Sequence, residues 1–261
     1  MRPNRLSAGI VSIVAAFAAL AVISGTPGIG AQVATPVATP IAGGVPCTNL
    51  FGIALGNACV LILHGSPDAG SVDVYVDGEL VLEGAVFGVL GDFIPVTVGE
   101  HQIQLAPSGA AIDNAIINST VDLVEGVAYE VAALGLIEDI GLQLLPVDTR
   151  PLVQNTSRLR VVHASPDAPA IDLAFTAGDV FVENLEPGEV SAYVDFASNT
   201  YDLEARVAGT TDLALPLPGT ALIPNTVYSL YVTGLVADGS LGAVLVPVLV
   251  SPDIAAATPV A

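Results

Sequence analysis

The chain has 261 residues, with 26 acidic residues against six arginines and no lysine, for a formal net charge of −20. So acidic a surface repels phosphate backbones and excludes a nucleic-acid-binding role. The length is ample for one or two cores, and short Val/Ile-rich runs punctuated by Gly, Pro, Asn and Asp exclude an architecture of long amphipathic helices.

Residues 1–31 read as an export signal peptide. Arg2 and Arg5 form a basic start, an apolar run extends from Ala8 to Ile23, and small residues lead to Ala31. Cleavage after Ala31 leaves Gln32 first, although Ile29, three positions earlier, is larger than such sites prefer. The alternative is an uncleaved anchor, but the apolar run is shorter than the roughly 20 residues that span a bilayer. Cleavage leaves four arginines against 26 acidic residues, a formal charge of −22. No second span of that kind follows.

Residues 32–58 are expected to be a disordered spacer, because Val33-Ala-Thr-Pro-Val-Ala-Thr-Pro40 is too poor in large apolar groups to pack. The spacer carries Cys47, and Cys59 follows it. In an exported chain this even count predicts a Cys47–Cys59 disulfide, with a metal site as the sharper alternative. The tail, 251–261, closes on a similar Thr-Pro phrase and is also expected to be disordered.

Between these ends the sequence repeats itself. Val60-Leu-Ile-Leu-His64-Gly-Ser66-Pro67-Asp68-Ala69 precedes Val72-Asp73-Val74. Ninety-nine residues later, Leu159-Arg-Val-Val-His163-Ala-Ser165-Pro166-Asp167-Ala168 precedes Ile171-Asp172-Leu173. Val127-Ala-Tyr129 and Thr226-Val-Tyr228 keep the same offset, as do Gly135-Leu136 and Gly234-Leu235. Landmarks in one order point to duplication. The predicted units are 59–149 and 158–250, joined by a linker at 150–157, with seven strands in each. In the first they fall near 59–64, 71–76, 79–82, 92–98, 101–106, 127–134 and 141–147. In the second they fall near 158–163, 170–175, 179–182, 190–196, 201–207, 226–233 and 241–248. The expected fold is all-β: two tandem immunoglobulin-like β-sandwich domains, with a small barrel as the alternative.

The repeated phrase carries the candidate site residues: His64, Ser66, Asp68 and Asp73 in the first copy, His163, Ser165, Asp167 and Asp172 in the second. Proline ends the strand, and Ser and Asp side chains can bond nearby amides, so the plain expectation is a braced turn. The sharper one is a metal site, with calcium held by loop carboxylates and carbonyls. Hydrolysis is the weakest reading, because each Ser precedes Pro in an ordinary turn without a nucleophile elbow. Tyr129 and Tyr228 are expected to bond a loop, as in a tyrosine corner, rather than to stack on carbohydrate.

The second phrase, Arg160-Val-Val-His163-Ala-Ser-Pro-Asp-Ala-Pro169-Ala-Ile-Asp172, resembles the signature of a bacterial secreted family, domain of unknown function 4397. The first copy departs from it at Gly65 and Gly70. The resemblance implies exported, often duplicated, β-rich modules and supplies no catalytic residues. The functional expectation is therefore a non-catalytic exported protein of the cell envelope or extracellular space, binding a surface polymer or protein. A calcium-stabilised adhesion module and an envelope hydrolase are the alternatives.

Overall fold

A computed structural model describes residues 56–88 and 91–250. The predicted leader, nearly all of the predicted spacer including Cys47, and the predicted tail lie outside them.

The first half contains β1 (Asn57–His64), β2 (Val72–Val76), β3 (Glu79–Ala85), β4 (Ile94–Thr97), β5 (Gly99–Pro107), β6 (Ile117–Leu123), β7 (Ala128–Leu134) and β8 (Gly141–Pro146). The second contains β9 (Thr156–His163), β10 (Ile171–Phe175), β11 (Val180–Leu185), β12 (Val194–Ala197), β13 (Asn199–Val207), β14 (Leu213–Leu222), β15 (Thr226–Thr233) and β16 (Gly242–Leu249). Among the described residues these make four sheets of four strands, ordered β4-β1-β7-β8, β3-β2-β5-β6, β12-β9-β15-β16 and β11-β10-β13-β14. The second pair of orders is the first with every label raised by eight.

Each half therefore has eight strands rather than the predicted seven, and the missing one is equivalent in both. In β6, Asn118-Ser-Thr imitates a turn, yet Ile117, Val121 and Leu123 alternate into the core. Pro216, Pro218 and Gly219 in β14 imitate a loop, but β14 is an edge strand, where a missing amide hydrogen is tolerated. The boundaries shift slightly as well. β1 begins at Asn57, inside the predicted spacer, and β9 begins at Thr156, inside the predicted linker, whose Leu152 is buried.

Burial explains the composition. Val60 and Ile62 of β1 face Val72, Val74, Ile103 and Leu105 of the β3-β2-β5-β6 sheet. Leu159 and Val161 of β9 face Ile171, Leu173, Leu203 and Leu217 likewise. The opposite faces of β1, β7, β9, β15 and β16 meet in a third core, where Leu61 and Leu63 pack with Val162, Tyr231, Val246 and Val248. The sheets thus stack in four layers. The two middle sheets are covered on both faces, which is why β7 and β15 are buried along their whole length.

In each middle sheet the central pair, β1–β7 or β9–β15, is parallel. All four strands run the same way: Thr233, ending β15, donates its hydroxyl to the Gly65 carbonyl just beyond β1 at 3.3 Å, and four residues back Ser229 bonds Glu130, which pairs with Leu61 of β1. Their following loops, 65–71, 135–140, 164–170 and 234–241, therefore share one end of the stack. The first and last described residues lie at the other end. There the Gly56 carbonyl accepts the Val98 amide at 3.2 Å, and the Val250 amide donates to Asn225 at 2.8 Å.

Candidate functional site

The loop end contains all the candidate residues, and it places the two copies in the same geometry. His64 and His163 close their strands and are buried. The His64 Nε2 lies 2.7 Å from the Gly70 carbonyl, and the His163 Nε2 lies 2.9 Å from that of Pro169. A carbonyl only accepts, so each Nε2 carries the hydrogen and donates. Burial pushes His163 below its ordinary value, so this ring stays neutral and acts as a strut across its loop.

The serines and the first aspartates tie this loop to the next. Ser66 donates to Asp68 at 3.2 Å, and Asp68 accepts the Ile137 amide at 2.8 Å. Ser165 donates to the Gly234 carbonyl at 2.7 Å and to Asp167 at 3.3 Å, while Asp167 accepts the Val236 and Ala237 amides at 2.8 and 2.9 Å. Burial alone would raise Asp167, but those two amides together with the Ser165 hydroxyl and its own backbone amide outweigh it and hold the carboxyl below its usual range. Gly234, at φ +90°, closes this turn so tightly that a Cβ would run into the Ser240 carbonyl.

The second aspartates do the same work on the outer sheets. Asp73 accepts the Gly84 amide at 2.7 Å, the Ser108 hydroxyl at 3.0 Å and the Gly109 amide at 2.9 Å. Asp172 accepts the amides of Asn184 and Gly209 at 2.7 and 2.8 Å. The Gly109 and Gly84 amides hold Asp73 below the ordinary carboxylate value. Neither serine bonds an imidazole, and neither Asp172 nor Asp73 bonds a histidine, so these residues form no Ser-His-Asp relay. Among the described residues no group of three or more His, Cys, Asp or Glu is placed to hold a metal ion.

The two loops differ where their sequences do. At Gly65 a Cβ would come within 2.5 Å of Leu134 Cδ2. The second half puts Ala164 there and the shorter Thr233 opposite, so volume has been exchanged between neighbours. Gly70 sits at φ +68°, which proline cannot adopt, while Pro169 makes the equivalent carbonyl bond from an ordinary backbone.

Outside these braces the loop end is acidic. Glu138, Asp139, Glu186, Glu189 and Asp238 are exposed on it, with the aliphatic Ile137 and Val236 between them. The loops that form this end contain no arginine.

Residues 58–174 match DUF4397, a domain of unknown function. The DUF4397 match runs from β1 into β10 and includes both His-x-Ser-Pro-Asp phrases. No curated protein matches the chain. Among solved structures, the chain is similar to CBMbc (family CBM26) from Eubacterium rectale Amy13K, a structure in complex with maltoheptaose. The identity is 12%, over 75% of this chain and 98% of that one, at a TM-score of 0.26. A putative cell adhesion protein from Parabacteroides distasonis is 10% identical over 74% and 100% of the two chains, with a TM-score of 0.20. The Bacillus anthracis TIE protein is 12% identical over 73% and 38%, with a TM-score of 0.19.

Sequence reasoning missed a buried cluster between the middle sheets. Glu130 of β7 is fully buried and accepts from Arg160 at 3.2 Å, Ser229 at 2.9 Å and Tyr231 at 2.6 Å. Burial pushes the Glu130 carboxyl up, and the Arg160 charge pulls it back. Arg160 also donates to the Pro146 carbonyl at 2.9 Å and lies 5.0 Å from the Tyr193 ring centre. The available signal was one charge inside each apolar run, Ala128-Tyr-Glu-Val-Ala and Leu159-Arg-Val-Val. Among the described residues, no helix is long and apolar enough to cross a membrane.

Proposed function

We propose that the chain is an exported, non-catalytic binding module of the cell envelope or extracellular space, built as tandem immunoglobulin-like β-sandwiches. Its loop end meets a surface polymer or protein that carries basic groups. One observation carries this reading: the His Nε2 atoms, serine hydroxyls and aspartates of both His-x-Ser-Pro-Asp phrases are spent on bracing the loops, while the acidic side chains around them face out. A rigid loop set on a packed scaffold suits recognition, and its charge suits a cationic partner. Export with a leader at 1–31 fits a Cys47–Cys59 disulfide, which intact mass without and with reductant tests.

Binding of the exported chain to a polylysine-coated surface, followed across salt concentration, tests the site. Neutralising Glu138, Asp139 and Asp238 together should weaken binding about tenfold at low salt. Neutralising Glu83, Glu100 and Asp122 on the outer sheet is the equal-charge control and should do less. Equal losses from the two sets would leave only net charge and sink the loop-end assignment.

A further inference from the structure

The outward face of the β3-β2-β5-β6 sheet differs from the rest of this acidic surface. One row across it runs Leu80, Tyr75, Gln104 and Asn118, and the next brings Gln102 beside Thr120. Directly opposed residues share a face at contact distance, so these six side chains form one flat, uncharged patch. Leu80, Gln102, Asn118 and Thr120 are exposed, and Tyr75 and Gln104 are half-buried. Asp77, Glu100 and Asp122 border it.

Its hydrogen-bonding capacity is largely unspent. Gln102 donates one bond to Asn118 at 2.9 Å, and the remaining amide groups of this pair, with the side chains of Gln104, Thr120 and Tyr75, have no partner among the described residues. The fold does not require this chemistry. In the second half the equivalents of Tyr75, Gln104 and Asn118 are Ala174, Glu204 and Pro216, on a sheet of the same order. The two outer faces have thus diverged while both loops keep their His, Ser and Asp braces.

We propose that this face is a binding site for a neutral polysaccharide. Side-chain amides offer donors and acceptors together, which matches hydroxyl groups that are both. A tyrosine ring offers an apolar face to the C–H side of a sugar ring and keeps a polar tip. Charge complementarity selects the uncharged class, because the bordering carboxylates repel acidic polymers and the patch holds no ion to pair with a charged one. This site is separate from the loop end, so either can fail without the other.

The test is native affinity electrophoresis of the exported chain in gels containing a soluble neutral glucan, mannan or galactan, with polygalacturonate as the acidic polymer. Retardation by a neutral polymer and none by polygalacturonate is the expected result. Tyr75→Ala and Gln104→Ala should each weaken that retardation about tenfold. Tyr75→Phe should keep most of it, and the loop-end triple variant should keep all of it. Unfolding midpoints close to the parent's would show that the outward substitutions leave the fold intact. No retardation by any of the three neutral polymers would overturn the proposal, as would unchanged retardation in the Tyr75→Ala and Gln104→Ala variants.

Discussion

Ser229 donates its hydroxyl to Glu130 at 2.9 Å, and the two residues are 99 positions apart, the offset that separates the two His-x-Ser-Pro-Asp phrases. A residue that touches its own counterpart lies on the axis relating the halves. That axis runs along the four parallel central strands, and on it a carboxylate on one side meets a hydroxyl on the other. The neighbouring counterparts are equally unlike: the counterpart of Leu61 is Arg160, and that of Ala132 is Tyr231.

The Glu130–Arg160 pair should therefore be strongly coupled. Glu130→Gln or Arg160→Leu alone leaves a buried partner without its match and should cost about 3–5 kcal/mol in urea unfolding. The double variant should cost clearly less than the two losses together, since neither charge then remains. Strict additivity would mean that the two groups are held independently.

Acid should destabilise the protein in a defined window. Asp77 is held below the ordinary 3.8 by the His101 side chain and the Gln102 amide, and Asp148 by Arg150. Asp73 and Asp167 are lowered too. The native state then binds fewer protons than the unfolded one, so the contribution is complete above about pH 4 and is lost as pH falls through the depressed native values. Glu130 has the opposite sign because burial raises it, so the informative quantity is a difference. The gap in melting temperature between parent and Asp167→Asn should be constant from pH 7 to 5 and close below about pH 4.

Calcium should leave thermal stability unchanged. The oxygens of Asp73, Asp167 and Asp172 already accept amide hydrogens, and a cation would have to displace them. Melting in millimolar calcium and in excess chelator should agree to within about 1 °C. A saturable rise abolished by Asp167→Asn would restore the adhesion alternative.

The buried hydroxyls of the equivalent Tyr129 and Tyr228 each accept a backbone amide five residues upstream: Tyr129 that of Val124 at 3.3 Å, Tyr228 that of Ile223 at 3.0 Å. Replacement by phenylalanine orphans that amide, and unfolding in urea should show a loss of about 1–2 kcal/mol, larger for Tyr228, whose bond is shorter.

Much of this architecture was legible because it is local or periodic. Val72, Val74 and Val76 alternate with polar neighbours, and Pro67 and Pro166 mark where strands stop, so β1, β2, β9 and β10 could be placed within two residues. β6 and β14 were not, because Asn118-Ser-Thr and Pro216-Leu-Pro218 carry turn chemistry whose meaning depends on an edge position that only the assembled sheet supplies. The same limit hid the site. His64, Ser66 and Asp68 were recognisable, but the Ile137 amide that Asp68 accepts depends on which loops converge. Tyr75, Gln104 and Asn118 are scattered over 44 positions and become neighbours only through strand register.

Gly56 and Val250 leave the stack on the same side, away from the loops. Whatever lies beyond them, the unit is a side branch rather than a link: chain entering and leaving at one base lengthens little when this body is inserted. Eight residues of β1 at about 3.3 Å each raise the loops roughly 26 Å above that base. Tension along a chain carrying the unit would act across the base and leave the loop surfaces mechanically unloaded.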